Sequence, residues 1–352
     1  MICFYPGPSK LYPSVKSYMQ EAFDTGILEK NHRSTYFEKL YQETIALLKN
    51  KLNIPDEYVI SFVSSATECW EIIAQSFTKA YSTHIYNGAF GAKWFQYAQR
   101  IHPNCLEIHY DIETNITHAI PCQDGHELIC LTQNETSNGT QISNEEIALI
   151  QRNNPSSLIA IDATSSMAGY HLDFAHTDIC YASLQKCFGL PSGMAILVCS
   201  PKAVERAKLC NSKKHYNDYL FILENTLKNQ TTHTPNILLT FLLHQLMGKL
   251  PPIHEIHSKV YTQSKAWYDY IEKHTYLNPL IQNKDVRSQT VISVQSDHIP
   301  ISSILEKAAK EGLLLGKGYG KWKSNSLRIA NFPAIDNNEI DHLKHFFDTL
   351  KQ

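Results

Sequence analysis

Along roughly the first 200 residues, segments with apolar positions at helical spacing alternate with short apolar runs that stop in polar clusters. STYFEKLYQETIALLKNKLN, beginning at Ser34, has the helical spacing. YVISFV, Tyr58 to Val63, reads as a strand, and SSATE then opens a second helix that runs through CWEIIAQSF. THIYNG and CLEIHY are predicted strands on either side of the helix-like AKWFQYAQRI. HELICLTQNET and SLIAIDATSS are strands with polar ends, separated by the helix NEEIALIQRN. DICYAS, Asp178 to Ser183, is an interior strand, and GMAILVCS, Gly193 to Ser200, is the next one, across a turn that holds Gly, Pro and Ser. Such β-α-β alternation predicts an α/β domain with a mainly parallel sheet.

From about His254 the pattern changes. A long helix-like segment, HSKVYTQSKAWYDYIEKH, leads to the strand QTVISVQ, the helix ISSILEKAAKEG, the strand SLRIANF and a last helix. This predicts a second, smaller α+β domain. No repeat or low-complexity tract interrupts either part.

Composition narrows the class. With 352 residues, 43% of them hydrophobic and 19% charged, the chain can bury the core of one large domain and a smaller one. The formal net charge is -2 and the basic residues are scattered, so a nucleic acid partner is not expected. No run of about 18 or more apolar residues occurs, so no membrane partner is expected. The start, MICFYPGPSKLYP, lacks the charged and apolar regions of a secretory signal, and the expected location is the cytoplasm. The nine cysteines form no CxxC pair, and Cys130, Cys180 and Cys199 fall inside apolar strands, where a thiol acts as a small hydrophobe. Neither a metal site nor a disulfide framework is expected. The sequons at Asn134 and Asn138 have no secretory context.

In sheets of this kind ligands bind at the carboxyl ends of the strands, which here carry Ser64 to Glu68, Asn87 to Phe90, Asn134 to Thr136, Asp162 to Ser166, and Gln185 with Lys186. A lysine after a strand is ordinarily a solvated turn residue, and an aspartate there ordinarily caps the next helix. Together, an acid on one strand end and an amine on a later one suit pyridoxal phosphate, whose aldehyde takes a lysine amine and whose pyridine nitrogen needs a carboxylate partner. SSATE suits its phosphate, because small residues entering a helix present backbone N–H groups to an anion.

The chain resembles the class V, fold type I, pyridoxal-phosphate-dependent aminotransferases, and within that class it is most similar to the phosphoserine aminotransferases. The resemblance is carried, in order, by YPGPSKLYPSV, NHRSTYFEKL, SSATE, NGAFGAKW, NETSNGTQI, IDATSS, LQK, THTP and LRIANF. It implies a seven-stranded type of sheet in a large cofactor-binding domain over 16–253, a small C-terminal domain over 254–352, and an N-terminal segment, 1–15, joining the small domain. Lys186 would be the lysine that binds the cofactor aldehyde and Asp162 the partner of the ring nitrogen. Phe90 would lie on the ring face, where phosphoserine members usually have tryptophan, with Thr136 and Ser165 near the ring hydroxyl. Ala66, Thr67 and Gln185 would hold the phosphate, joined by His233 and Thr234 from another subunit, where the family has Asn-Thr-Pro. That sharing implies a homodimer.

For substrate, the resemblance implies that Arg328 grips the α-carboxylate and that His32 and Arg33 reach the substrate phosphate from the neighbouring subunit. A further family histidine is replaced here by Lys321, with Tyr319 close by. The implied reaction is transamination between phosphoserine and 3-phosphohydroxypyruvate on one side and glutamate and 2-oxoglutarate on the other, in serine biosynthesis. A serine–glyoxylate or alanine–glyoxylate aminotransferase remains the alternative. Gln185 stands where a cysteine desulfurase has histidine, and the glycine cluster GKGYG at Gly316 follows a helix rather than a strand, which disfavours a nicotinamide enzyme.

Overall fold

The computed structural model describes residues 1–118, 126–211 and 214–350. Its centre is a seven-stranded sheet in the spatial order Val59–Val63, Ala195–Cys199, Ile179–Ser183, Leu158–Asp162, Leu128–Thr132, Thr83–Tyr86, Leu106–His109. Ala195–Cys199 runs antiparallel to both neighbours, and the other adjacent pairs are parallel. The antiparallel strand follows from the chain: the loop after Ser183 is too short for a helical crossover, so the next strand must return beside the last. The mainly parallel sheet expected from the alternation is present.

The apolar runs are continuous because both faces are covered. Leu128, Cys130, Leu158, Ala160, Ile179 and Tyr181 pack on one side, against helices that include Ala66–Phe77. Ile129, Leu131, Ile159, Ile161, Cys180 and Ala182 pack on the other, in the core that also holds the helix Thr35–Leu52. Asp178 ties three strands together at their other end. Its carboxylate accepts from the Ile159 N–H at 3.0 Å and from the Ser200 hydroxyl at 2.9 Å, while its own N–H bonds the Ile159 carbonyl.

HELICLTQNET, read as one strand, is divided. Leu128–Thr132 belongs to the large sheet, and Asn134–Glu135 pairs separately with Thr140–Gln141. A second sheet has the order Ile2–Phe4, Leu313–Lys317, Ser326–Ala330, Val291–Ser296, Leu277–Pro279. Ile2–Phe4 pairs in parallel with Leu313–Leu315, so the two ends of the chain share one sheet. The long helix Ile253–Lys273 packs against it. Strand Leu313–Lys317 was hidden in the sequence by its glycines. Gly316 has a steric reason: a Cβ there would come within 2.6 Å of Pro6 and 3.0 Å of the Arg328 carbonyl oxygen. Among the described residues no helix is long and apolar enough to cross a membrane.

Asp178→Ala removes the acceptor of a buried strand N–H, and we expect a loss of about 1–3 kcal/mol in urea unfolding. An unchanged midpoint would show that the carboxylate does not hold these strands.

Candidate functional site

The parallel strands all stop at one edge of the large sheet, and the polar residues that follow them surround a cavity of about 160 Å³. Thr132 lies opposite Asp162 in register, and Asp162 lies opposite Tyr181. Lys186 follows Ser183 by a short step of loop and enters the same cavity. An ammonium and a carboxylate are thereby buried together: Lys186 is 8% exposed and Asp162 6%.

Each is held by neutral hydrogen bonds. The Lys186 Nζ donates to the Thr136 hydroxyl at 3.1 Å and stands 5.3 Å from the centre of the Phe90 ring. Burial pushes its pKa below the usual lysine range, against the pull of the Asp162 charge. Asp162 accepts from the Thr164 N–H at 2.9 Å. Burial pushes its carboxyl above the ordinary value, opposed by the Thr164 hydrogen bonds and the Lys186 charge. Gly7 packs on the lysine from outside. Its φ is +148°, and a Cβ would fall 2.8 Å from the Lys186 Cε.

The other wall is built from two helix starts. Ser65 caps Ala66–Phe77 by accepting from the Glu68 N–H at 3.1 Å, and Glu68 in turn accepts from the Ser64 N–H at 2.8 Å. SSATE thus caps the helix, and Ser65, Ala66 and Thr67 also line the cavity. The N–H groups of a first helical turn have no intrahelical partner and suit an anion. At the second start, Ala89–Ile101, the buried carboxylate of Glu135 accepts from the N–H groups of Phe90 at 3.2 Å and Gly91 at 3.1 Å. Sequence reasoning missed Glu135. Apart from the Ser137 N–H, its helix-start partners Phe90 and Gly91 lie more than forty positions away, and nothing in NETSNG alone points to them.

Thr136 and Ser165 meet at 3.0 Å between hydroxyls, and Ser165 also accepts from the Asn134 side chain at 2.9 Å. Gln185 presents its side chain to the cavity and gives its carbonyl oxygen to the Ser9 N–H at 2.9 Å. Arg328, in the second sheet, is 9% exposed and is fixed by its Nε on the Lys317 carbonyl at 2.8 Å and its Nη1 on the Thr136 carbonyl at 2.9 Å. Burial lowers its pKa to about 10, so it stays cationic at neutral pH.

Not all expected residues gather here. Lys321 is exposed and lies over the Trp322 ring, 4.6 Å from its centre. His32, Arg33, His233 and Thr234 do not line the cavity. His32 is pushed below the usual histidine range by partial burial and by its neighbours Arg33 and His233, so these three side chains lie near one another. Thr234 beside them is exposed.

The cavity fits pyridoxal phosphate. Thr132 Oγ1, Ser183 Oγ and Gln185 Oε1 are buried on its wall without a hydrogen-bond partner, which is where a polar ligand is called for. A lysine amine, a carboxylate, an aromatic ring and a helix start are the donor set such a cofactor uses.

A model of the Aminotransferase class-V family matches residues 2–320. A phosphoserine aminotransferase of Cytophaga hutchinsonii is similar in structure, with a TM-score of 0.94 and 31% identity over 99% of this chain and 98% of that one. A phosphoserine aminotransferase of Corynebacterium glutamicum is 27% identical over 98% of this chain and 93% of that protein. An alanine–glyoxylate aminotransferase of Nostoc shares the fold at a TM-score of 0.80 and 18% identity, over 98% of this chain and 93% of that one.

In the cofactor-free protein, Lys186 should react with an amine-selective reagent at half its maximal rate below the pH ordinary for lysine. Asp162→Asn removes the charge that favours the ammonium and should lower that pH further. Peptide mapping across a pH series reads both. A midpoint at the ordinary lysine value would mean that burial does not govern this amine.

Proposed function

The chain belongs to the class V aminotransferases, and from that premise we propose that it moves an amino group between phosphoserine and 2-oxoglutarate, giving 3-phosphohydroxypyruvate and glutamate in serine biosynthesis. The observation that carries the substrate assignment is the 31% identity to the Cytophaga phosphoserine aminotransferase over 99% of the chain. Class V aminotransferases depend on pyridoxal phosphate.

When bound, the cofactor supplies an aldehyde that takes amines and a protonated ring that draws electrons from the substrate Cα. Asp162 would hold the proton on the pyridine nitrogen, Phe90 would give the ring a face, and Thr136 with Ser165 would receive its hydroxyl. Ala66, Thr67 and Gln185 would take the phosphate. Lys186 Nζ, biased to the neutral amine by its burial, removes the proton from the substrate Cα as general base and returns it as acid. Thr136 Oγ1 keeps that nitrogen aimed. Arg328, with two of its N–H groups already fixed on backbone carbonyls, offers the rest of its fork to the α-carboxylate.

The cavity wall carries no Arg or His among the described residues, so on one chain the cofactor phosphate meets no side-chain cation there other than Lys186. The grouped His32, Arg33 and His233, with Thr234, are the natural complement if a second copy presents them. We therefore read the enzyme as a cytoplasmic homodimer with shared sites, in which His233 and Thr234 reach the cofactor phosphate and His32 and Arg33 the substrate. Lys321, exposed over Trp322, stays a minor candidate for the substrate anion.

Lys186→Ala should abolish turnover, and near-normal multiple turnover in that variant would defeat the mechanism. Visible absorption of the cofactor-loaded protein should change on adding O-phosphoserine and not on adding serine or alanine. A response confined to serine or alanine would move the substrate to the glyoxylate-using relatives. Arg33→Ala should raise the KM for phosphoserine and leave that for glutamate little affected, whereas an equal loss for both would assign Arg33 to structure.

A further inference from the structure

Lys93 lies one helical turn after Phe90 on Ala89–Ile101, a spacing that stacks the two side chains on one helix face. Its ammonium donates to the Tyr319 hydroxyl at 2.6 Å and stands 5.8 Å from the centre of the Phe90 ring and 5.2 Å from that of Tyr319. The two rings stack on each other, 5.2 Å between centres and 24° between planes. On the same Tyr319 ring sits Arg328, its guanidinium carbon 5.4 Å from the centre. One tyrosine thus has a guanidinium on its ring and an ammonium on its hydroxyl, directly beside the ring that meets the Lys186 amine.

Charge makes this arrangement unusual. Lys93 is half-buried, and among the described residues no carboxylate lies at ion-pair distance from it. A partly desolvated ammonium ordinarily has an anionic partner. Here a neutral hydroxyl and two ring faces hold it, and of its three donors one is used. The Tyr319 oxygen accepts from Lys93, which leaves its own O–H free to donate. Arg328 likewise has no carboxylate at ion-pair distance among the described residues, and its fixed fork is shaped for a planar carboxylate. Two cations without a carboxylate at ion-pair distance, on either side of one tyrosine, call for a ligand with two anionic groups.

We propose that Lys93 Nζ and Tyr319 Oη bind the distal anion of a substrate whose α-carboxylate sits on Arg328, and so select dianionic amino acids and 2-oxo acids. The inference rests on the reading of Arg328 as the α-carboxylate site. A lysine ammonium is a compact point charge with rotatable donors, so it accepts a phosphate or a carboxylate at that end. A substrate with a neutral side chain leaves those donors unmatched when it displaces water, which penalises it. The position also explains why Lys321 can lie outside: beside His32 and Arg33 of a second copy, a further cation for the distal group comes from the Phe90 helix, 228 positions earlier in the chain than Lys321.

The test compares kcat/KM of the cofactor-loaded enzyme for phosphoserine, glutamate and alanine in wild type and Lys93→Met, which keeps an apolar stem over the rings. The preference for a dianionic substrate over alanine should fall about ten- to a hundred-fold, the range for a lost charged hydrogen bond, and Lys93→Arg should restore most of it. A fall for phosphoserine alone assigns the site to phosphate, and a fall for glutamate alone assigns it to carboxylate; either supports the proposal. Calorimetry with 3-phosphonopropionate, a carboxylate and a phosphonate without an amine, should show the same weakening of Kd. Tyr319→Phe keeps the stack, removes the hydroxyl and should give a smaller loss with the same selectivity, which covers a failure of Lys93→Met to fold. An unchanged preference in both variants overturns the proposal while phosphoserine specificity stands. A wild-type enzyme that does not favour dianionic substrates over alanine overturns both.

Discussion

Two opposite charges, Lys186 and Asp162, are held out of water at the ends of neighbouring strands, and much of the surrounding backbone is arranged to make that tolerable. Coulomb attraction between them offsets part of the cost of burial, though not all, since burial still pushes each pKa toward the neutral form. The rest comes from aligned dipoles: the Thr164 N–H on the carboxylate and the Thr136 hydroxyl on the amine. Such a pair is poised, because a modest change in its surroundings moves a proton. That is the property a proton-transferring lysine needs, and it is obtained from packing rather than from any strained bond.

A second buried carboxylate, Glu135, has a different task. It faces the N–H groups of Phe90 and Gly91 and so fixes the helix start that carries the aromatic ring. Its negative charge also supports Arg328 across the site. The cavity is thus a field of alternating charge in which each group is stabilised by one on a different element of the fold. Thr136 shows how closely these are coupled, with its hydroxyl on Lys186 and Ser165 and its carbonyl on Arg328.

What the sequence revealed and what it hid follow from range. Asp162 was legible because it ends an apolar run, Lys186 because it closely follows one, and Asn134, Thr136 and Ser165 because polar residues follow buried strands in a fixed order. Arg328 was legible only through family resemblance. Glu135 and Lys93 were not singled out, and Tyr319 only as a neighbour of Lys321, because their meaning lies in contacts between residues 44 to 226 positions apart. Elements failed for local reasons. Ile237–Lys249, which reads ILLTFLLHQLMGK, is apolar nearly all round and shows little periodicity, Leu313–Lys317 was masked by glycine, and Ile2–Phe4 is three residues long.

The pairing of Ile2–Phe4 with Leu313–Leu315 bears on how the protein comes into being. Gly7, which packs on Lys186, sits only three residues beyond that strand. On a ribosome the large sheet can assemble from residues 59–199, yet the segment that covers the lysine has no strand to join until position 313 has emerged. Residues 2–7 therefore find their place only after position 313 has been made, and the Lys186 amine is enclosed no earlier.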